Sequence, residues 1–210
     1  MSVLQALNWH YGVKRFSDQL VEPARLEMLL EATRLSPSAY GLQPYRLWVI
    51  TDKAVRARLL PYSYGQQKVL DSSHLVVFAA RQDIDSEFIA HHTQYLAKQR
   101  QLDNATQQSM QQYYQEKLVD TVTATERLQW AYQQTYLALG NFLTSAALLE
   151  IDACPMTGIE FGQYDELLGL NERGFTTVAI CVLGNRDPED SYAQQLKVRL
   201  PMEELVEWVA

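Results

Sequence analysis

The segment from residue 125 to residue 150 constrains the fold more than any other part of the chain. Between residues 136 and 149 it reads YLALGNFLTSAALL, which places apolar side chains almost all the way round a helix. A surface helix needs a polar face, so a helix of this composition is expected to be buried in a core or in an interface. The sequence therefore predicts one long helix over 125–150, around which the other elements must pack.

The other elements are predicted to be short helices and a few buried strands. Apolar runs predict strands at 46–50, 73–80 and 175–183, and apolar spacing predicts helices at 2–8, 22–34, 53–60, 84–101 and 105–118. The two helices between about residues 84 and 118 are rich in Gln and Tyr, which fits either a solvated excursion or a lid over a site. We expect a single α+β domain over 1–210, with a small central sheet flanked by helices.

Charge and cysteine content limit the possible partners and location. The formal net charge is −7, which argues against nucleic acid or an anionic membrane as the main partner. Cys154 and Cys181 have no metal-ligand spacing and are expected to be small core residues, which fits a reducing cytoplasm. No leader-like segment opens the chain and no apolar run is long enough to span a bilayer, so a cytoplasmic location is expected.

Basic residues occur near both ends of this acidic chain. The first group lies in the segment HYGVKRF that begins at His10, and the second is Lys197 with Arg199 in KVRLP. Alternation in an extended segment puts Lys197 and Arg199 on one face, where an Arg fork beside a Lys charge suits a phosphate. Spacing alone favours the alternative, which is two ordinary surface cations.

Three loops are candidates for contact with a ligand. Residues 36–45 (SPSAYGLQPY) combine small residues, a glycine and two prolines, which lets the backbone come close to a flat ligand. Residues 64–68 end in Lys68 just before a buried strand, and residues 154–158 could offer the backbone N–H groups of Thr157 and Gly158. Each segment is also consistent with a plain turn, and Lys68 with an ordinary surface lysine.

Standard catalytic signatures are absent from the sequence. There is no Gly-x-Gly-x-x-Gly, no Walker loop and no Gly-x-Ser-x-Gly elbow. His91 and His92 are adjacent, so their rings point apart on a helix and are not expected to bind a metal. If the protein is an enzyme, we expect a cofactor to carry the difficult chemistry.

Six stretches together resemble the nitroreductase family of FMN-dependent oxidoreductases. They are WHYGVKRF from Trp9, LSPSAYGLQPYR from Leu35, DSSHLVVF from Asp71, QTYLALGNFL from Gln134, PMTGI from Pro155 and KVRLP from Lys197. Their order and spacing match the family over essentially the whole chain. The resemblance implies an intertwined, obligate homodimer with a small, mostly antiparallel sheet in each subunit and two FMN sites at the interface.

The resemblance also assigns cofactor-binding residues. Lys14 and Lys68 correspond to lysines near N1 and O2 of the flavin ring, where a reduced flavin is negative. Lys197 and Arg199 correspond to the phosphate-binding pair. The remaining implied FMN contacts are His10, Tyr11, Gly12, Gln66, the loop Pro37, Ser38, Ala39 and Gly41 from the other subunit, and the loop Pro155, Met156, Thr157 and Gly158 facing N5.

Four positions depart from the usual pattern of the family. His10 replaces an arginine to the FMN phosphate, and Gly12 stands where many members have serine. Thr157 replaces a glutamate of the enteric-type enzymes. Gly65 replaces their asparagine, so the neighbouring Gln66 is expected to take over its contact with the flavin. Substrate choice is the property these changes affect most.

The implied activity is a ping-pong reaction in which NADH or NADPH reduces bound FMN and an electron-poor acceptor, such as a nitroaromatic or a quinone, is then reduced. The flavin carries the chemistry, so no protein residue is expected to act as acid, base or nucleophile, and Lys14 and Thr157 tune it. Tyr40, Tyr113 and Tyr114 are candidate walls for the acceptor, with ordinary packing as the alternative. The rival functions are a non-catalytic flavin-binding protein and a flavin enzyme for one dedicated metabolite.

Overall fold

The computed structural model describes residues 1–209, which form nine helices and one four-stranded sheet. The helices are α1 (Val3–Trp9), α2 (Pro23–Arg34), α3 (Lys53–Leu59), α4 (Lys68–Asp71), α5 (Ser86–Arg100), α6 (Asn104–Gln115), α7 (Ala124–Leu148), α8 (Phe161–Leu168) and α9 (Met202–Leu205). The strands are β1 (Tyr45–Ile50), β2 (His74–Arg81), β3 (Asp152–Met156) and β4 (Phe175–Gly184). The predicted α+β class is confirmed.

The sheet is antiparallel throughout, in the order β1-β2-β4-β3. Three of its strands were predicted from sequence and lie within one residue of the predicted bounds. The prediction of a loop at 154–158 was wrong in part, because residues 152–156 form β3. Pro155 conceals this strand in the sequence, since proline lacks an N–H, yet it is tolerated at the sheet edge where β3 lies.

Helices cover both faces of the sheet, so its central strands are buried on both sides. Leu75 and Val77 of β2 pack in one core with Tyr164 of α8. Val76 and Phe78 point the other way and pack against α7, where the rings of Phe78 and Phe142 meet edge to face with centroids 5.1 Å apart. This period-two alternation explains why the strands read as nearly continuous apolar runs.

The long helix α7 is buried on one face only. Phe142 and Ala146 lie in the core, whereas Tyr136 and Leu137 are 47% and 52% exposed. Its start is set by a capping box, in which Thr123 and Glu126 each accept from the other's backbone N–H. Packing within residues 1–209 does not explain why the exposed face of α7, which carries Leu137, is also apolar.

The two cysteines lie on opposite sides of the sheet, each buried and unpaired. Cys154 belongs to the core under α3 and α8, and Cys181 to the core under α2 and α7. The prediction that both are core residues is confirmed.

Candidate functional site

Folding brings the two basic ends of the chain together around a pocket of about 440 Å³. The lining residues are Asn8, Trp9, His10, Tyr11, Gly12, Lys14, Tyr192, Ala193, Gln195, Leu196, Lys197, Val198 and Arg199. Three of them are cationic and none is a carboxylate. In a chain with net charge −7, such a lining selects for an anion.

The N-terminal wall of the pocket is held by a pairing between distant segments. The backbone N–H of Ser17 donates to the Asn185 carbonyl at 2.8 Å, and that of Asp187 donates to the Arg15 carbonyl at 3.0 Å. Phe16 lies between them in a β-bridge with Arg186. The segment that carries Lys14 is therefore fixed to the end of β4.

Asp190 is the buried carboxylate that closes this wall. Its Oδ2 accepts from the backbone N–H of Lys14 at 2.9 Å and from the Tyr11 hydroxyl at 3.1 Å, and its Oδ1 accepts from the Tyr192 N–H at 3.1 Å. Burial acts to raise the pKa of Asp190, but these hydrogen bonds to the charged form outweigh it and lower the pKa. Asp190 thus orders both walls of the pocket without facing into it as a free charge.

A second carboxylate and an arginine fix the base of the pocket. Asp152 accepts from the backbone N–H of Arg186 at 2.7 Å and from its Nε at 2.8 Å. The Arg186 guanidinium lies 4.1 Å from the Trp9 ring centroid and 4.5 Å from that of Tyr11. This stacking holds the segment around His10 against β3.

His10 is oriented by a backbone carbonyl. Its Nε2 lies 3.1 Å from the Ala153 oxygen, and because a carbonyl can only accept, Nε2 carries the proton. Burial, followed by the nearby positive charge of Lys197, lowers the pKa of His10. The imidazole is therefore neutral near pH 7, with Nδ1 unprotonated and unable to donate to an anion.

The two C-terminal cations are exposed but differ in their contacts. The Lys197 ammonium contacts the backbone carbonyls of Leu7 and His10, at the C-terminal end of α1, where a cation is favoured. Within residues 1–209, the one hydrogen bond of the Arg199 guanidinium is to the neighbouring Val198 carbonyl, at 2.7 Å. Loss of hydration, followed by repulsion from Arg199, lowers the pKa of Lys197. An anion between the two would relieve that repulsion.

The predicted residues of segments 64–68 and 154–158 lie next to Gly12, which lines this pocket. Lys68 Nζ lies 3.2 Å from Cys154 Sγ, and a Cβ added to Gly12 would lie 3.8 Å from the same sulfur. Gln66 donates from Nε2 to the Gly158 carbonyl at 3.0 Å. Pro155, Thr157 and Gly158 are exposed, whereas the Met156 side chain packs in the core, which leaves only its backbone for a ligand.

The residues predicted to contact the other subunit's flavin or the acceptor lie away from the basic pocket. Within residues 1–209, Pro37, Ser38, Ala39, Tyr40, Gly41, Tyr113 and Tyr114 make no hydrogen bond, ion pair or ring contact with the residues around the basic pocket. The Tyr40 ring packs against that of Tyr114 at an angle of 44°, with centroids 5.0 Å apart, and meets the Tyr113 ring edge-on at 6.1 Å. Tyr40 also has a positive φ of 57°, which is unusual for a residue other than glycine.

Two amides of α7 hold this strained loop in place. Gln134 Oε1 accepts from the Ala39 N–H at 2.8 Å, and Asn141 Nδ2 donates to Ser36 Oγ at 2.9 Å. The sequence predicted no role in the site for these amides or for Asp152, Asp190 and Arg186, and it predicted Cys154 only as a core residue at the start of the loop 154–158. The amides lie in the stretch QTYLALGNFL, whose pattern was the only available signal; the others show no sequence pattern at all.

Comparison with known proteins identifies the family. The model of the nitroreductase family matches residues 7–185, and the chain belongs to that family. A protein of Staphylococcus haemolyticus, provisionally named an NAD(P)H nitroreductase, is 33% identical over 218 residues, covering 99% of this chain and 97% of the relative. A protein of Staphylococcus saprophyticus with the same provisional name is 32% identical over 216 residues, with the same coverage.

Solved structures show the same fold. A provisionally named nitroreductase of Bacillus subtilis has a TM-score of 0.85 at 22% identity and covers 98% of both chains. One from Exiguobacterium sibiricum, solved in complex with FMN, has a TM-score of 0.84 at 18% identity and covers 100% of this chain and 98% of its own. The expectation of a nitroreductase-like fold is confirmed.

No group of three His, Cys, Asp or Glu side chains within residues 1–209 is arranged to hold a metal ion. No helix in that range combines the length and apolar content that a membrane span requires.

Proposed function

We propose that this protein is an FMN-dependent oxidoreductase that takes hydride from NADH or NADPH and reduces nitroaromatics, quinones or similar electron-poor acceptors with ping-pong kinetics. The observation that carries the proposal is the basic pocket, which has three cations and no carboxylate in an acidic chain of the nitroreductase family. The provisional names of the relatives and the FMN in the Exiguobacterium sibiricum structure support the same cofactors.

The residues present fit FMN by their charge and by the open space above Gly12. Arg199 and Lys197 would hold the phosphate, which carries close to two negative charges. Lys14, near the Tyr192 ring with its Nζ 5.3 Å from the centroid, would place positive charge at the pyrimidine edge together with Lys68. Gly12, which has no side chain, lets the cofactor approach the backbone above Cys154. Bound FMN would supply the hydride acceptor and donor that no side chain here provides.

We further propose a homodimer in which the loop from Pro37 to Gly41 contacts the flavin of the other subunit. The predicted FMN contacts fall into two separate regions of one chain, as a site shared between subunits requires. Pro37 to Gly41 would then lie over the partner's pocket, and Tyr40, Tyr113 and Tyr114 would form a wall on which a flat acceptor stacks. The amides of Gln134 and Asn141 would fix that wall in place.

Three exposed apolar surfaces support the homodimer. The first is the free face of α7, and the second is α1 with Val3 and Leu4 exposed. The third is the arm from residue 195 to residue 209, in which Leu196 and Trp208 are 91% and 89% exposed. Apolar surface on this scale is uncommon on monomers and typical of obligate interfaces.

The arm has a complementary groove beside β1, at the sheet edge. That groove has a volume of about 500 Å³ and includes apolar Leu30, Leu47 and Val49 with the cations Arg34 and Arg46. The end of the arm, residues 202–209, carries the opposite charge, at Glu203, Glu204 and Glu207. We propose that this end lies in the groove of the other copy, which would intertwine the two chains, while Lys197 and Arg199 stay at the pocket of their own chain.

The decisive experiment is anaerobic mixing of the FMN-loaded protein with NADH or NADPH, followed at the flavin absorbance. Bleaching, followed by return of the colour on addition of a nitroaromatic or a quinone, is the expected result. Stable FMN binding without bleaching by either nucleotide would instead identify a non-catalytic flavin-binding protein. Bleaching with no turnover of either acceptor class would indicate a dedicated metabolite, and failure to bind FMN would refute the proposal.

A further inference from the structure

The amine of Lys68 and the thiol of Cys154 form a contact that the proposed function does not require. Lys68 Nζ donates to Cys154 Sγ at 3.2 Å, between residues 86 positions apart. Within residues 1–209, no carboxylate forms an ion pair with Lys68. A lysine has a flexible four-carbon stem and loses much rotamer freedom when its end is held, so this sulfur selects one position of the ammonium from many.

Cys154 is itself rigidly placed. It lies in β3, pairs with Val182 of β4 and is 4% exposed. On its outer side the sulfur lies beneath the backbone of Gly12, as the 3.8 Å distance from an added Cβ shows. The thiol therefore lies between Lys68 and the segment that carries Gly12 and Lys14.

The chemistry of sulfur suits this position. A carboxylate at residue 154 would orient the ammonium strongly but would also cancel its charge, and a methyl group would leave the ammonium unrestrained. A thiol is a weak acceptor with no formal charge, so accepting from the ammonium does not cancel the charge of Lys68.

We propose that Cys154 is a positioning residue, which holds the Lys68 ammonium at the pyrimidine edge of the flavin without neutralising it. This inference rests on the proposed function, because it takes Lys68 to face the ring where negative charge develops on reduction. Cys154 then acts on the flavin through Lys68 and makes no contribution of its own.

The test is a double-mutant cycle on the FMN-loaded protein, read by the flavin midpoint potential and the rate of reduction by nicotinamide. Cys154→Ala should lower the potential and slow reduction about threefold to tenfold, in the same direction as Lys68→Met. In the Lys68→Met background, Cys154→Ala should have no further effect. Cys154→Ser, which keeps an acceptor, should restore most of the potential and also serves if the alanine variant is poorly folded.

Cys181→Ala is the matched control, because it removes the other buried thiol from the adjacent strand. It should leave the potential unchanged. Two results would overturn the positioning role and leave the proposed function standing. In the first, Lys68→Met lowers the potential but Cys154→Ala does not. In the second, Cys154→Ala has the same effect with and without Lys68. If Lys68→Met leaves the potential unchanged in a protein that binds and reduces FMN, Lys68 does not face the ring and the positioning role falls with that placement. If the wild type does not bind FMN, the proposed function itself fails.

Discussion

The Asp190 carboxylate accepts a hydrogen bond from the backbone N–H of Lys14 at 2.9 Å, across 176 positions of sequence. The same carboxylate accepts from Tyr11 and Tyr192, which form opposite walls of the basic pocket. The buried Asp190 anion thus fixes the backbone of Lys14, whereas the Lys14 ammonium lies near the Tyr192 ring and forms no ion pair within residues 1–209. The geometry explains how a pocket for an anion is built with a carboxylate beside it.

Replacement of Asp190 should destabilise the protein and loosen the pocket. In Asp190→Asn, the amide NH2 must face N–H or O–H donors on one side, so at least one buried donor loses its acceptor. We expect a loss of about 1–3 kcal/mol in the free energy of unfolding and weaker FMN retention. Asp187→Asn is the control, since its partner Arg15 is exposed, and should cost less than about 1 kcal/mol.

The same substitution should have a defined pH dependence. The pKa of Asp190 is lowered in the folded protein, so its contribution is present above the ordinary pKa of 3.8 and is lost as the pH falls through the folded value. Chemical denaturation of wild type and Asp190→Asn at several pH values measures this difference. A stability gap that stays constant down to pH 3 would contradict the ionised role of Asp190.

Arg199→Ala and Lys14→Ala should separate binding of the cofactor from control of its potential. If Arg199 is the proposed phosphate partner, Arg199→Ala removes an interaction worth about 1.5–3 kcal/mol, so FMN affinity should fall roughly tenfold to more than a hundredfold. Lys14→Ala removes charge from the pyrimidine edge, so it should lower the flavin potential more than it weakens binding of oxidised FMN. Dissociation constants and midpoint potentials of both variants provide the measurement. The reverse pattern would show that the flavin is placed the wrong way round.

His10 should make FMN binding tighter at lower pH. Its pKa is lowered, and the neutral ring offers no donor to the phosphate because Nε2–H is directed to Ala153. Protonation adds an N–H and a positive charge, so the ratio of FMN affinities of wild type to His10→Gln should rise as the pH falls below about 6.5. The phosphate titrates in both proteins and cancels from the ratio. A ratio that is flat between pH 5 and 8 would exclude His10 from the phosphate site.

In the FMN-free protein, by contrast, His10 should make the fold less stable as the pH falls. Because the folded pKa lies below the unfolded value, the unfolded chain binds the proton first, and the free energy of unfolding falls as the pH drops below about 6.5. His10→Gln should reduce that dependence.

A charge on the free face of α7 should break the homodimer. Leu137→Glu places a carboxylate on an apolar surface that the proposal buries, so the protein should become monomeric or unfold and lose FMN. Ala57→Glu, on exposed α3 across the sheet, should remain a dimer with full FMN occupancy. Analytical ultracentrifugation distinguishes these outcomes, and a flavin-loaded monomer of the wild type would refute the homodimer.

Sequence alone determined three of the four strands, six of the nine helices within residues 1–209 and the family signature, whereas α4, α8 and α9 were not predicted. Apolar residues on every side predicted α7, although only one of its faces is buried within residues 1–209. Strands buried on both faces read as apolar runs, because burial acts on side chains one position at a time. The six family stretches identified the basic ends for the same reason, since each motif is local. β3 escaped prediction because Pro155 is unfavourable in a strand unless the strand lies at an edge, and an edge exists only once the sheet has formed.

Tertiary structure alone decided how those residues are held. Asp190 near Lys14, Arg186 between Trp9 and Tyr11, and Cys154 beneath Gly12 are contacts between residues more than 140 positions apart, and no local pattern marks them. The lowered pKa of His10 likewise depends on its burial and then on the charge of Lys197, both of which arise only through folding. Local periodicity fixes which side chains are buried, but the partner of a buried or charged group is set by the path of the whole chain.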